Sequence, residues 1–99
     1  MKIPKKVKIL GKRYRIDTVP NSNLDPRNQG HILHTTGRIT LLDGMAPDAT
    51  RETLLHECIH SIVDNLQLGL EEKQVGALSA GLYALAKESP RQVRWMLGL

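Results

Sequence analysis

Apolar and basic positions alternate at the start of the chain. Val7 and Ile9 are interleaved with Lys6 and Lys8, and Tyr14 and Ile16 with Arg13 and Arg15. A period of two puts the apolar side chains on one face and the basic ones on the other, as in a half-buried strand. Gly11 lies between the two runs, so together they predict a hairpin. Its basic face reads as the solvated side. From Val19 to Gly30 the periodicity stops, and Pro20, Asn21, Asn23, Asp25, Pro26 and Asn28 predict a loop. Residues 30–34 and 38–42 flank Thr35-Thr36-Gly37 and predict a second hairpin.

After Asp43-Gly44-Met45-Ala46-Pro47 the period changes to that of a helix. The pattern predicts a first helix over about residues 48–67, with Asp48 as N-cap and Thr50 to Thr53 as a second possible start. Leu55, Ile59, Ile62 and Leu66 form its apolar stripe, with Val63 at the edge. Glu57, Ser61, Asp64 and Asn65 form a polar flank, and Cys58 reads as a small core residue. Gly69 suits the end of this helix. A second helix follows over about Leu70 to Lys87, with Val75, Leu78, Leu82 and Leu85 as its stripe. Ser89-Pro90 breaks it. Arg91 to Leu97 then predicts a short helix that docks Trp95 and Leu97 on the core. The expected fold is α+β, with residues 1–99 as one minimal domain. A short antiparallel sheet of two hairpins packs on the first helix and on a second, antiparallel helix, followed by the short C-terminal one.

Composition narrows the setting. Ninety-nine residues allow one modest core, and with 40% hydrophobic but only 3% aromatic residues that core is aliphatic. One cysteine excludes an intramolecular disulfide and is compatible with a reducing, cytoplasmic setting. No stretch approaches a membrane span, and the basic N-terminus lacks the apolar segment of a secretory signal. The net charge of +4 hints at an anionic partner. The lack of interleaved aromatics and of a reading helix argues against a nucleic-acid adaptor built on Lys2 to Arg15.

The chemistry-bearing stretch is His56-Glu57-Cys58-Ile59-His60, an H-E-x-x-H motif inside the first helix. Positions i and i+4 share a helix face, so both imidazoles can reach one metal ion, with Glu57 beside it. This pattern fits zinc with a general base. Catalytic zinc usually takes a third protein ligand and a water. No histidine follows His60, and Leu66 stands where a six-residue spacing would require one. Asp64 lies in line with the pair on the same helix and cannot converge with it. Glu88 is at the far end of the second helix. Glu71 and Glu72 remain, just after Gly69. Glu72 is preferred, because it lies on the border of its stripe as the histidines do on theirs; Glu71 stays open. Either could instead serve only as a negative charge at a helix N-terminus.

This combination resembles the gluzincin type of zinc metallopeptidase, and more narrowly the small phage and mobile-element proteins related to ImmA/IrrE metallopeptidases. Arg51-Glu52-Thr53-Leu54-Leu55-His56-Glu57 is similar to their run-in, and Glu72-Lys73-Gln74-Val75-Gly76-Ala77-Leu78 follows the order of their third-ligand helix. Gly76 departs from the Asn or Asp often found there. The resemblance spans about residues 30 to 88. It implies an α+β fold with two metal-bearing helices, Zn2+ on His56, His60 and Glu72, and cleavage of a peptide or protein substrate, as an endopeptidase. Glu57 is expected to act as general base toward a zinc-activated water. An extra oxyanion donor is desirable; His31, His34, Tyr14 and Tyr83 are candidates. In many zinc proteases the strand before the motif helix also pairs with extended substrate. The alternative class is a zinc-stabilised protein-binding module that does not cut.

Overall fold

The computed structural model describes residues 2–20, 30–33 and 36–99. Most of the expected loop after Val19, and His34, lie outside these. Four strands, β1 (Lys6–Ile9), β2 (Lys12–Val19), β3 (Gly30–Leu33) and β4 (Arg38–Leu42), are followed by three helices. These are α1 (Pro47–Asn65), α2 (Glu72–Glu88) and α3 (Pro90–Leu97). The fold is α+β, as expected.

The sheet differs from the expected pair of hairpins in one respect. It is a single four-stranded sheet of order β1-β2-β4-β3, and it is mixed. β1 pairs antiparallel with β2 through a two-residue turn, Leu10 (φ 49°) and Gly11 (φ 84°), the two positive values that a tight hairpin turn matching the strand twist requires. β3 and β4 are also antiparallel, but β2 and β4 run parallel, from Arg15 opposite Arg38 to Val19 opposite Leu42. Parallel neighbours need a long crossover. The residues between Val19 and Arg38 provide it, with β3 inside the crossover. The result puts β4, the strand with the most apolar run, at an interior position, where Ile39 and Leu41 are fully buried. On the wet face Asp17 Oδ2 lies 3.3 Å from both Arg15 Nε and Arg38 Nε and offsets their cross-strand repulsion.

The sheet contributes one core cluster, Ile9, Tyr14, Ile16, Ile39 and Leu41, against which Leu54 and Cys58 of α1 pack. A second cluster joins Ile59 and Val63 of α1 to Val75 of α2, with Leu55 and Leu70 around it. So α1 is covered on two sides. Of the flank that reads as polar in sequence, Glu57 and Ser61 are buried, together with Thr50 and Thr53, while Asp64 and Asn65 are exposed. Two of the buried hydroxyls are bonded, Ser61 Oγ donating to Tyr14 Oη of the sheet at 3.0 Å and Thr50 Oγ1 to the Ala46 carbonyl at 3.2 Å. Conversely, Ile62 and Leu66 of the predicted stripe are exposed.

The helix ends also correct the expectation. Pro47 opens α1 after Ala46, and Asp48 sits inside the first turn, where it complements the helix dipole rather than capping it. At the other end Gln67 (φ 54°) follows the Leu66 cap as the left-handed C′ residue, and Gly69, also left-handed (φ 67°), lies beyond it in the return. The Leu68 N–H reaches the Val63 carbonyl at 3.0 Å and the Gln67 N–H the Asp64 carbonyl at 3.3 Å, which closes the last turn. On α2 only Val75 and Ser79 are buried, and Leu78, Leu82 and Leu85 stay exposed. The expected docking of α3 does not occur. Trp95 is 83% and Leu97 65% exposed, because α3 rests against the end of α2, past the part of α2 that carries the core. No helix among the described residues is long and apolar enough to cross a membrane.

Candidate metal centre

Three side chains from two helices converge. His56 Nε2 lies 2.7 Å from Glu72 Oε1, His60 Nε2 lies 2.6 Å from Glu72 Oε2, and the two Nε2 atoms are 3.1 Å apart. Metal–nitrogen distances near 2.1 Å in a tetrahedral site put ligand atoms about 3.4 Å apart. The two histidine nitrogens, at 3.1 Å, stand close to that spacing, and the Glu72 oxygens lie at hydrogen-bond distance from them. Each Nε2 has one in-plane position, holding either a proton or a lone pair. Protons on them would point at the two Glu72 oxygens, and lone pairs in the same direction would meet a cation placed between the three side chains. His56, His60 and Glu72 could thus hold a metal ion.

Local structure explains why Glu72, and not Glu71, is in the triad. Glu71 is the N-cap of α2. Its carboxylate accepts the Gln74 backbone N–H, and its own N–H donates to Gln74 Oε1 at 2.8 Å. That reciprocal cap occupies Glu71 and makes Glu72 the first helical residue. The closed end of α1 and the short return through Gly69 then bring this first turn back beside His56 and His60.

Glu57 is 5% exposed and lines the same groove. Burial pushes its carboxyl from 4.5 up to about 7; nearby His56 pulls it down and Glu72 pushes it up. A carboxyl in this range can take up and release a proton near neutrality. The groove has a volume of about 880 Å³ and runs between β3, α1 and α2. Glu52, Glu57, Asp64 and Glu72 line it, and among the described residues no Lys or Arg does. The chain as a whole carries +4, so acidic charge is concentrated here.

The remaining sequence candidates separate. His31 lines the groove from β3. Tyr14 is 1% exposed inside the sheet core and bonded to Ser61, so it is not at the groove. Tyr83 donates to Asp48 Oδ1 at 2.6 Å, which raises the tyrosine's pKa and lowers the aspartate's. It does not line the groove either. The Cys58 thiol is pushed up by burial and then by Glu57, and it packs on the sheet core as expected of a structural cysteine. One residue escaped the sequence reading. Ser79, 2% exposed, lies 3.4 Å through Oγ from His56 Nδ1. In sequence it is one of several small residues on α2; the available signal was its place seven residues after Glu72, on the same helix face.

No protein-family model, curated protein or solved structure matches this chain, so its reading rests on the geometry of the site.

Proposed function

We propose that this protein is a zinc-dependent metallopeptidase, with His56, His60 and Glu72 as ligands and Glu57 as general base. The observation that carries this is the convergence of two Nε2 atoms and one carboxylate within 4.8 Å, in a groove that also holds the buried Glu57. Two imidazoles and a carboxylate are a donor set suited to zinc, and three protein ligands leave a position for water. Zinc bound there supplies Lewis acidity and lowers the pKa of a bound water toward about 7. Glu57 accepts the water proton and passes it to the leaving amine. The open groove admits an extended peptide. A glutamate ligand from the following helix agrees with the gluzincin resemblance.

A second reading has its own observation. The exposed Leu78, Leu82, Leu85, Trp95 and Leu97 on α2 and α3 favour a zinc-stabilised module that binds another protein without cutting it. A buried Glu57 beside the ligands has no role in such a module. The deciding experiment compares wild type with Glu57→Gln for zinc content and for cleavage of a peptide library. The peptidase reading expects zinc in both and cleavage by wild type alone. Zinc in both with no cleavage by wild type would replace it with the binding module.

A further inference from the structure

We propose that Ser79 is the positioning residue for His56, holding its ring in the tautomer and orientation that metal binding needs. The inference rests on reading the site as a zinc centre.

The argument begins with the His56 ring. Its Nε2 faces Glu72 and His60, so its lone pair is the one directed at the ion. The proton of the neutral ring then sits on Nδ1 and needs an acceptor. Ser79 Oγ, at 3.4 Å, is that acceptor. The hydroxyl in turn donates to the Gly76 carbonyl, also at 3.4 Å. A serine hydroxyl offers one proton and two lone pairs, so it can accept from His56 Nδ1 while it donates to the Gly76 carbonyl. Ser79 is 2% exposed, so its hydroxyl is turned to these two partners and away from bulk water.

The α2 helix grips the whole edge of this ring. Glu72, Gly76 and Ser79 are spaced i, i+4 and i+7, on one helix face. Glu72 meets Nε2, Ser79 meets Nδ1, and Gly76 lies opposite the carbon between them. A Cβ built at Gly76 would stand 3.8 Å from His56 Cε1. One helix therefore supplies a metal ligand and orients another. His60 receives only the first of these services from α2.

The test uses matched variants, Ser79→Thr and Ser79→Val, which have nearly the same shape and differ in the hydroxyl. Ser79→Ala is a third, without added volume. Zinc affinity is measured by chelator competition, and the melting of each metal-free protein is recorded alongside. Loss of a partner that orients a metal-bound histidine costs 10–100-fold in affinity. Ser79→Val and Ser79→Ala are expected to bind zinc about 10–100-fold more weakly than wild type. Ser79→Thr is expected to remain near wild type, with metal-free melting similar in Thr and Val. If Val does not fold, Ala against wild type carries the comparison. Equal zinc affinity with and without the hydroxyl would overturn the proposal, as would a wild type that binds no zinc. Failure of every form to cleave peptides would count against hydrolysis alone, because the readout here is affinity.

Discussion

Glu71→Ala and Glu72→Ala are neighbouring truncations with different expected consequences. Glu71 caps α2, and its carboxylate holds the Gln74 backbone. Removing such a cap costs about 1 kcal/mol of stability. In a domain of this size that is a fall of about 4–8 °C in melting temperature, with or without metal. Glu72 carries the opposite signature. Its side chain is 70% exposed, so the metal-free protein loses little when it is truncated. What it loses is one of three ligands. Partners that merely orient a ligand are worth 10–100-fold in metal affinity, so deletion of a ligand is expected to cost at least about 100-fold. At a zinc concentration about 1,000 times the wild-type Kd, binding stabilises the native state by about 4.1 kcal/mol. A 100-fold weaker site keeps about 1.4 kcal/mol of this. The missing 2.7 kcal/mol or so corresponds to a zinc-induced rise in melting temperature smaller by about 10–20 °C. Scanning calorimetry of wild type and both variants, each with and without zinc, measures all of these quantities. A Glu72→Ala protein that keeps the full zinc-induced rise would refute the assignment, as would a Glu71→Ala protein that loses it.

Three further outcomes follow from the groove. In the metal-free protein, Glu57 titrates at about 7 against an ordinary 4.5, so the folded chain holds a proton that the unfolded chain releases. Stability should therefore fall by about 2 kcal/mol as pH rises from about 4.5 through about 7, less than the full shift because groove water screens the charge. Urea unfolding of Glu57→Gln should lack that decline, and an unchanged slope would show that Glu57 is not the group responsible. Gly30→Ala would put a Cβ 2.9 Å from Thr53 Cγ2 and 3.1 Å from the Thr40 carbonyl oxygen, where β3 meets α1. Crowding of this kind costs about 1–3 kcal/mol, and a neutral result in urea unfolding would mean that β3 lies farther from α1 than described. Finally, Glu52 lies one turn before His56 and lines a groove in which no Lys or Arg stands among the described residues. Peptides with Lys or Arg beside the scissile bond should be cut faster than acidic ones, and Glu52→Lys should reverse the order. The same ranking before and after the substitution would remove Glu52 from substrate selection.

Much of this protein follows from local spacing alone. Alternation in residues 6–16 marks two strands and their solvated basic face, because a strand's side chains alternate whatever it pairs with. The five-residue motif brings His56 and His60 together, because i and i+4 are adjacent on any helix. The absence of later histidines turns the search for a third ligand to the next helix. Tertiary structure decided the rest. Periodicity says which residues share a face, not which neighbour covers it. Glu57 and Ser61 read as part of a polar flank, yet they are buried because the sheet takes that side of α1. Leu78 and Leu82 read as core, yet α1 covers the face of α2 that carries Val75 and Ser79 and leaves the leucines exposed. Strand order is non-local in the same way: nothing in residues 12–19 or 38–42 announces that they pair in parallel. Glu72 prevails over Glu71 because a capping bond to Gln74 occupies one carboxylate and the chain's return presents the other. Ser79 joins the site only because α2 lies along the edge of the His56 ring, a contact between residues 23 positions apart that no local spacing encodes.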